Sequence, residues 1–141
     1  MTAEPKPAKK ILRILLDANA LFVPLKFKFD IFEELETLIN GSFELILLSP
    51  IKKELERLAT NESTKMRKNA LYALNLAEKC RLVEVDHQLN AAPDDIILQV
   101  AGEWNCPVFT NDKKLRKKLR DINVPVIYVR QKSRLEIDGR R

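Results

Sequence analysis

The sequence predicts an α/β fold, a three-layer α/β/α sandwich built on a central parallel sheet of four to five strands. Short apolar runs with the length of buried strands alternate with segments whose apolar residues recur at helical spacing. Strands that alternate with helices are typical of a parallel sheet with right-handed crossovers and with helices on both faces. No internal repeat or linker interrupts this alternation, so we expect one domain in the chain of 141 residues.

The predicted elements follow one another in chain order. Predicted strands are the apolar runs at 11–16, 43–48, 82–85, 107–109 and 125–129. Predicted helices begin near residues 30, 49, 64, 93 and 112. Ser49 and Pro50 have the residue types of an N-cap and of a first helical position, so we predict that Ser49 caps its helix. The basic and aromatic segment 26–29 is predicted to lie in a loop after the first strand.

The ends of the chain are predicted to lie outside the sheet. Residues 1–10, rich in Pro and Lys, predict a flexible basic arm, so the predicted domain spans 11–130 and is followed by a polar tail over 131–141 with one edge strand. The first residues lack the apolar region of a signal peptide, and no apolar stretch approaches the roughly 18 residues that cross a membrane. The two cysteines have neither metal-ligand nor redox spacing. We therefore expect a soluble, cytoplasmic protein, and its net charge of +5 is compatible with a polyanionic partner without requiring one.

Four acidic residues are predicted to reach one edge of the sheet. Asp17 and Asp112 directly follow two strands, whereas Glu54 and Asp94 lie in the first turns of helices that follow two others. In open α/β sheets the carboxyl ends of parallel strands share one edge, where ligands bind. Helical phase places Glu54 beside a buried stripe and turns Asp94 inward, while Asp95 points away as a cap or supporting group.

Carboxylates gathered at one edge predict a site for a divalent cation. They would repel one another and raise one another's pKa values unless a cation neutralised them. Oxygen ligands without Cys or His suit Mg²⁺ or Mn²⁺, and the chemistry that fits is phosphodiester hydrolysis by metal-activated water. Each acid taken alone is also explained as a helix cap or a first-turn acid favoured by the helix dipole, although capping does not explain the inward phase of Glu54.

Four segments in this order resemble the PIN-domain ribonuclease family, and the similarity covers residues 11–130. The segments are Leu15-Leu16-Asp17-Ala18-Asn19, Ser49-Pro50-Ile51-Lys52-Lys53-Glu54-Leu55, Pro93-Asp94-Asp95-Ile96-Ile97 and Val108-Phe109-Thr110-Asn111-Asp112-Lys113-Lys114-Leu115. The resemblance implies a PIN-like fold and RNA cleavage that depends on Mg²⁺ or Mn²⁺. Its implied catalytic residues and metal ligands are Asp17, Glu54, Asp94 and Asp112. Supporting polar roles are expected for Asn19, Asp95, Thr110 and Asn111.

Basic residues near the acidic edge are candidates for RNA contact. They are Lys26, Lys28, Lys113, Lys114, Arg116 and Lys117. Such residues are equally typical of a solvated helix face, and the aromatic residues between the first two are typical of core packing.

Three functions remain open at this point. The double acid Asp94-Asp95 and the run Thr110-Asn111-Asp112-Lys113 resemble the archaeal and eukaryotic branch that acts in ribosome processing and RNA surveillance. These motifs favour a role in RNA processing or surveillance, whereas the small size allows a toxin-type, VapC-like ribonuclease held by an antitoxin as the alternative. A PIN module that binds RNA or protein without cutting is the third. The corresponding partners are RNA, a second copy of the chain, an antitoxin or a ribosome-assembly protein, and no membrane.

Overall fold

The computed structural model describes residues 11–86 and 91–139. Within them a six-stranded sheet runs in the order β3-β2-β1-β4-β5-β6. The strands are β1 Leu12–Leu16, β2 Phe43–Leu48, β3 Arg81–Val83, β4 Val108–Phe109, β5 Val126–Arg130 and β6 Arg134–Asp138. Neighbouring strands pair in parallel except for β6, which pairs antiparallel with β5.

Helices connect these strands. They are α1 Val23–Phe27, α2 Ile31–Leu38, α3 Ser49–Leu58, α4 Thr64–Ala77, α5 Pro93–Trp104 and α6 Lys113–Asp121, and a 3₁₀-helix over Ala18–Phe22 joins β1 to α1. The predicted three-layer α/β/α fold is confirmed. Five strands of the described sheet are parallel, within the predicted four to five, and β6 adds an antiparallel edge strand in the segment where the tail was expected to carry one. The arm predicted over residues 1–10 lies outside the described residues.

The central strands are buried on both faces, as a parallel sheet covered by helices requires. Ile14, Leu15 and Leu16 of β1 are fully buried, and so is Phe109 of β4. Leu35, Ile51, Ile97 and Leu115 bring the apolar stripes of four helices into the same core. None of the described helices is both long and apolar enough to cross a membrane.

Two local predictions are wrong. Within the predicted loop 26–29, residues 26 and 27 belong instead to α1, and 28 and 29 lie outside it; Pro24 suits the first turn of α1, where its missing N–H costs nothing. The helix ends at Lys28, which is left-handed with φ of 61°. Ser49 is not an N-cap: α3 begins at Ser49 itself, after Leu48. The Ser49 hydroxyl oxygen instead accepts a hydrogen bond of 3.2 Å from the backbone N–H of Val85.

The β5–β6 hairpin turns through two left-handed residues. Gln131 and Lys132 have φ of 56° and 63°. The backbone N–H of Ser133 donates to the carbonyl of Arg130 at 3.2 Å. Positive φ at both central positions is typical of a type I′ hairpin turn, in which Gly and Asn are the preferred residues.

We expect Lys132→Gly to raise the free energy of unfolding by about 0.5–1 kcal/mol, because glycine reaches the left-handed region without the steric cost of a Cβ atom. Lys132→Ala, which removes the same side chain but keeps Cβ, should give no such gain. Urea denaturation of the three proteins measures the difference. Equal stabilities for the Gly and Ala variants would show that this turn stores no strain.

Candidate active site at the carboxyl edge of the sheet

The candidate site lies where the order of the strands reverses. From β1 the chain builds β2 and β3 on one side, and then returns to place β4 and β5 on the other. In open α/β sheets the crevice at this switch point is the usual place for a ligand. Asp17 directly follows β1, and its N–H donates to the Phe109 carbonyl at 3.0 Å. The segment 110–112 follows β4, so both segments reach the crevice.

The Asp17 carboxylate is buried and held by three donors. Asp17 is only 6% exposed. The hydroxyl of the fully buried Thr110 donates to Asp17 Oδ2 at 2.6 Å. Asn19 Nδ2 donates to the same oxygen at 3.1 Å, and the Ala18 N–H donates to Oδ1 at 2.8 Å. These contacts fix the orientation of the carboxylate before any ligand binds.

Asn111 ties this network to the neighbouring strand. Its backbone N–H donates to Asn19 Oδ1 at 3.0 Å, and its side-chain Oδ1 accepts from the Val129 N–H of β5 at 2.9 Å. The candidate supporting residues Asn19, Thr110 and Asn111 therefore form one hydrogen-bonded unit around Asp17.

Asp112 begins α6 as its N-cap. Its Oδ1 accepts from the backbone N–H of Lys114 at 2.8 Å and of Leu115 at 3.3 Å. Its own N–H donates to the Thr110 hydroxyl oxygen at 3.1 Å. The Asp112 carboxylate thus caps α6 and borders the crevice at the same time.

Three of the four predicted catalytic acids repel one another electrostatically: Asp17, Asp94 and Asp112. Burial raises the pKa of Asp17 to about 6; hydrogen bonds from Thr110 and Ala18 lower it, and the charges of Asp94 and Asp112 raise it further. Burial and the charge of Asp112 raise the pKa of Asp94, and a nearby cation partly offsets this rise. Asp94 is half-buried and Asp95 exposed, in agreement with the helical phase.

Glu54 is engaged elsewhere. Its carboxylate pairs with the Arg57 guanidinium at 2.7 Å, three residues along α3, and its side chain is 31% exposed. It is not among the charges that raise the pKa of Asp17 or Asp94. An exposed pair of this kind contributes on the order of 0–1 kcal/mol, so little free energy opposes its exchange for another partner. The role of Glu54 stays a prediction.

The four acids do not form a closed cluster. In residues 11–86 and 91–139, no three side chains of His, Cys, Asp or Glu lie together as a group that could hold a metal ion. Two of the acids have other partners: Asp112 caps α6, and Glu54 pairs with Arg57.

The basic residues occupy two surfaces. Lys26 and Lys28 are exposed at the end of α1, and the lysines predicted to contact RNA on α6 are exposed at its start and middle: Lys113, Lys114 and Lys117. Arg116 of α6 is half-buried and pairs with Asp138 of β6 at 3.1 Å.

Lys118 is the cation near Asp94 that sequence reasoning missed. Its charge lowers the pKa of Asp94. No local pattern distinguishes it from the other lysines of α6, because its proximity to Asp94 depends on how α5 and α6 pack together.

Fold and site together define a class: a mostly parallel α/β domain with a buried aspartate and further carboxylates at its switch point. A model of the PIN-like domain matches residues 14–132. The chain belongs to the PIN-like domain family, as the resemblance of its motifs indicates.

Curated relatives and a solved structure are similar over nearly the whole chain. Ribonuclease VapC4 of Methanocaldococcus jannaschii is 39% identical over 127 residues, which cover 90% of this chain and 97% of that protein. Ribonuclease VapC9 of Archaeoglobus fulgidus is 26% identical over 138 residues, or 98% of each chain. The structure of the PIN domain endonuclease Utp24 superposes with a TM-score of 0.77 at 25% identity, covering 91% of this chain and 92% of that one.

Asp17→Asn should change stability in a way that depends on pH. The folded-state pKa of about 6 exceeds the ordinary value of 3.8, so the folded protein favours the protonated carboxyl. The stability contributed by the protonated form is full below about pH 4 and is lost as the pH rises through 6. The ionised carboxylate then costs about 3 kcal/mol, because one pKa unit corresponds to about 1.4 kcal/mol.

We therefore expect the free energy of unfolding of Asp17→Asn, relative to the unsubstituted protein, to rise by about 2–3 kcal/mol between pH 4 and pH 7. Urea denaturation at both pH values measures it. Glu62→Gln, which neutralises an exposed acid, is the control and should show no comparable change. A difference for Asp17→Asn that is independent of pH would contradict the raised pKa.

Proposed function

We propose that this protein is a metal-dependent endoribonuclease of the toxin type. The observation that carries the proposal is the buried Asp17 carboxylate, held by Thr110 and repelled by Asp94 and Asp112 at the switch point of a PIN-like domain. Its relatives support the proposal, since two are named ribonucleases and the similar solved structure is of an endonuclease.

The residues present suit a hydrated Mg²⁺ or Mn²⁺ ion. Magnesium prefers oxygen ligands, keeps several of its waters and usually takes one or two carboxylates together with substrate phosphate. This preference agrees with the acids at the edge of the sheet, which interact electrostatically but do not form a group of three metal ligands in the described residues. One or two of Asp17, Asp94 and Asp112 would bind the ion directly and the remaining acids would bind through its waters, with Glu54 joining them after leaving Arg57. Burial and, to a smaller extent, repulsion from Asp94 and Asp112 disfavour the ionised Asp17 carboxylate, and a bound cation would offset both costs.

The chain's own residues orient the reacting groups. When bound, a divalent ion lowers the pKa of a water and polarises a phosphoryl oxygen. Hydrogen bonds from Thr110, Asn19 and the Ala18 N–H keep the Asp17 carboxylate in one orientation. This carboxylate therefore does not have to reorient when substrate binds. Lys118 and the other cations of α6 offset the repulsion between the acidic edge and the phosphates of RNA.

Single-stranded RNA should be cleaved in the presence of Mg²⁺ or Mn²⁺, and EDTA should stop the cleavage. Asp17→Asn and Asp94→Asn should each lower the rate by about 100-fold or more, because losing a metal ligand removes several kcal/mol of transition-state stabilisation. Either ion should also raise the melting temperature of the unsubstituted protein at pH 7 more than that of Asp17→Asn, because an ion that binds only the folded state stabilises it.

Two further variants complete this experiment. Glu62→Gln, on the exposed surface, should cleave at the full rate. Glu54→Gln should cleave slowly if Glu54 leaves Arg57 for the metal. Intact RNA affinity without cleavage by the unsubstituted protein, with either ion, would instead support a binding module.

The choice between a toxin and an RNA-processing enzyme requires a cellular experiment. The VapC names of the relatives favour the toxin, whereas the Asp94-Asp95 pair resembles the processing branch. Expression of the unsubstituted protein in a host without its antitoxin should arrest growth, and Asp17→Asn should abolish the arrest. If the cells grow normally although the protein they contain cleaves RNA in vitro, the toxin function is contradicted and a role in RNA processing is favoured.

A further inference from the structure

A basic groove opens beside the candidate active site, between the start of α6 and the β5–β6 hairpin. It has a volume of about 310 Å³, and its walls include Asn111, Lys113, Arg116, Tyr128 and Arg130. Ligand sites in proteins begin at roughly this size, about 300 Å³. Tyr128 and Arg130 were not among the candidate residues of the sequence analysis.

The basic groove adjoins the acidic edge. Thr110, whose hydroxyl donates to Asp17, also lines the groove. Asn111 hydrogen-bonds on one side to Asn19 and on the other to the backbone N–H of Val129. A ligand in the groove would therefore lie next to the network that holds Asp17.

A planar stack forms one wall. The guanidinium carbon of Arg116 lies 3.7 Å from the centroid of the Tyr128 ring. Asp138 fixes the same guanidinium at 3.1 Å, and the Arg116 side chain stays 32% exposed. Unstacked bases of single-stranded RNA are commonly bound on aromatic rings and on arginine planes. Because this pair is already ordered, binding would cost little further side-chain entropy.

Two further cations line the groove with this stack. Lys113 is exposed at the first residue of α6, and Arg130 is the last residue of β5. Arg130 lies two residues from Tyr128 on the same face of the strand, because side chains alternate along β5. Its guanidinium pairs with Glu136 at 3.0 Å and remains 46% exposed. Such groups bind phosphates without reading sequence.

We infer that the basic groove binds one nucleotide of single-stranded RNA next to the bond that is cut. The base lies against Arg116 and Tyr128, and a phosphate lies between Lys113 and Arg130. This inference rests on the proposed function, since it takes RNA as the substrate. The planar stack favours a nucleotide over an acidic peptide, which would need the cations alone.

Arg130→Gln tests the phosphate contact, and Arg134→Gln is its matched control. Both arginines pair with Glu136, at 3.0 and 3.2 Å, and have similarly exposed side chains. Only Arg130 is among the groove-lining residues in the described part of the chain. Both substitutions are made in the Asp17→Asn protein, so that binding is measured without cleavage. The readout is the fluorescence anisotropy of a short, labelled single-stranded RNA in Mg²⁺ at several salt concentrations.

Arg130→Gln should weaken binding by about 3- to 10-fold at low salt and flatten the plot of log affinity against log salt by about 0.7, the value of one lost phosphate contact on a single strand. Arg134→Gln should leave the slope unchanged and the affinity within about twofold. Melting temperatures of both variants check that the hairpin is folded equally in each.

Tyr128 tests the base contact. Tyr128→Leu should lower RNA affinity by about 5- to 50-fold with the salt slope unchanged, because stacking is not electrostatic. Tyr128→Phe keeps the ring and should bind within about twofold of the parent.

The outcomes separate this inference from the proposed function. If the unsubstituted protein cleaves RNA, but Arg130→Gln binds like Arg134→Gln and Tyr128→Leu binds like its parent, the nucleotide subsite is overturned and the nuclease stands. If the unsubstituted protein neither binds nor cleaves RNA, the proposed function fails and the inference fails with it. Groove variants that lose affinity for polyglutamate and keep it for RNA would overturn the inference in favour of an acidic protein partner.

Discussion

The hydrogen bond from the Thr110 hydroxyl to the Asp17 carboxylate is the contact on which the site depends. It spans 2.6 Å between residues 93 positions apart in the chain and joins the ends of β1 and β4. Hydrogen bonds of this kind are stronger where solvent is excluded, and an unpaired buried carboxylate would be costly. Thr110 also accepts from the N–H of Asp112 and so sets where α6 begins. One buried hydroxyl therefore positions two of the candidate catalytic acids.

This arrangement costs stability at neutral pH. Burial and repulsion raise the pKa of Asp17 to about 6, so its ionised form opposes folding. The fully buried residues of β1, Ile14 to Leu16, supply the apolar burial that offsets this cost. Local rules of stability are commonly violated at functional sites and compensated elsewhere in a protein. A cation bound at this edge, as proposed, would reverse the sign of the effect, because it would make the same charges favourable.

Much of the fold was predictable, because it depends on the order and period of apolar residues. Helical phase alone distinguishes the half-buried Asp94 from the exposed Asp95. The same phase places Glu54 beside the core but cannot reveal its pair with Arg57, since that pair depends on the rotamers of two long side chains. Tyr128 lies on a different element from Arg116, and no local pattern indicates that the two stack. The features that the sequence did not predict are therefore tertiary contacts, that is, which side chains of separate elements meet.

A nuclease of this design must bring a polyanion to a negatively charged crevice. Asp112 occupies N–H groups at the start of α6 that would otherwise attract a phosphate. The attraction must then come from side-chain cations close by, since at physiological salt exposed charges act over only about 8 Å. Lys113 directly follows Asp112, and Arg130 ends the strand to which Asn111 is bonded. Because Asp112 already caps the start of α6, the cations of α6 and β5 beside the acidic edge are placed to supply this attraction.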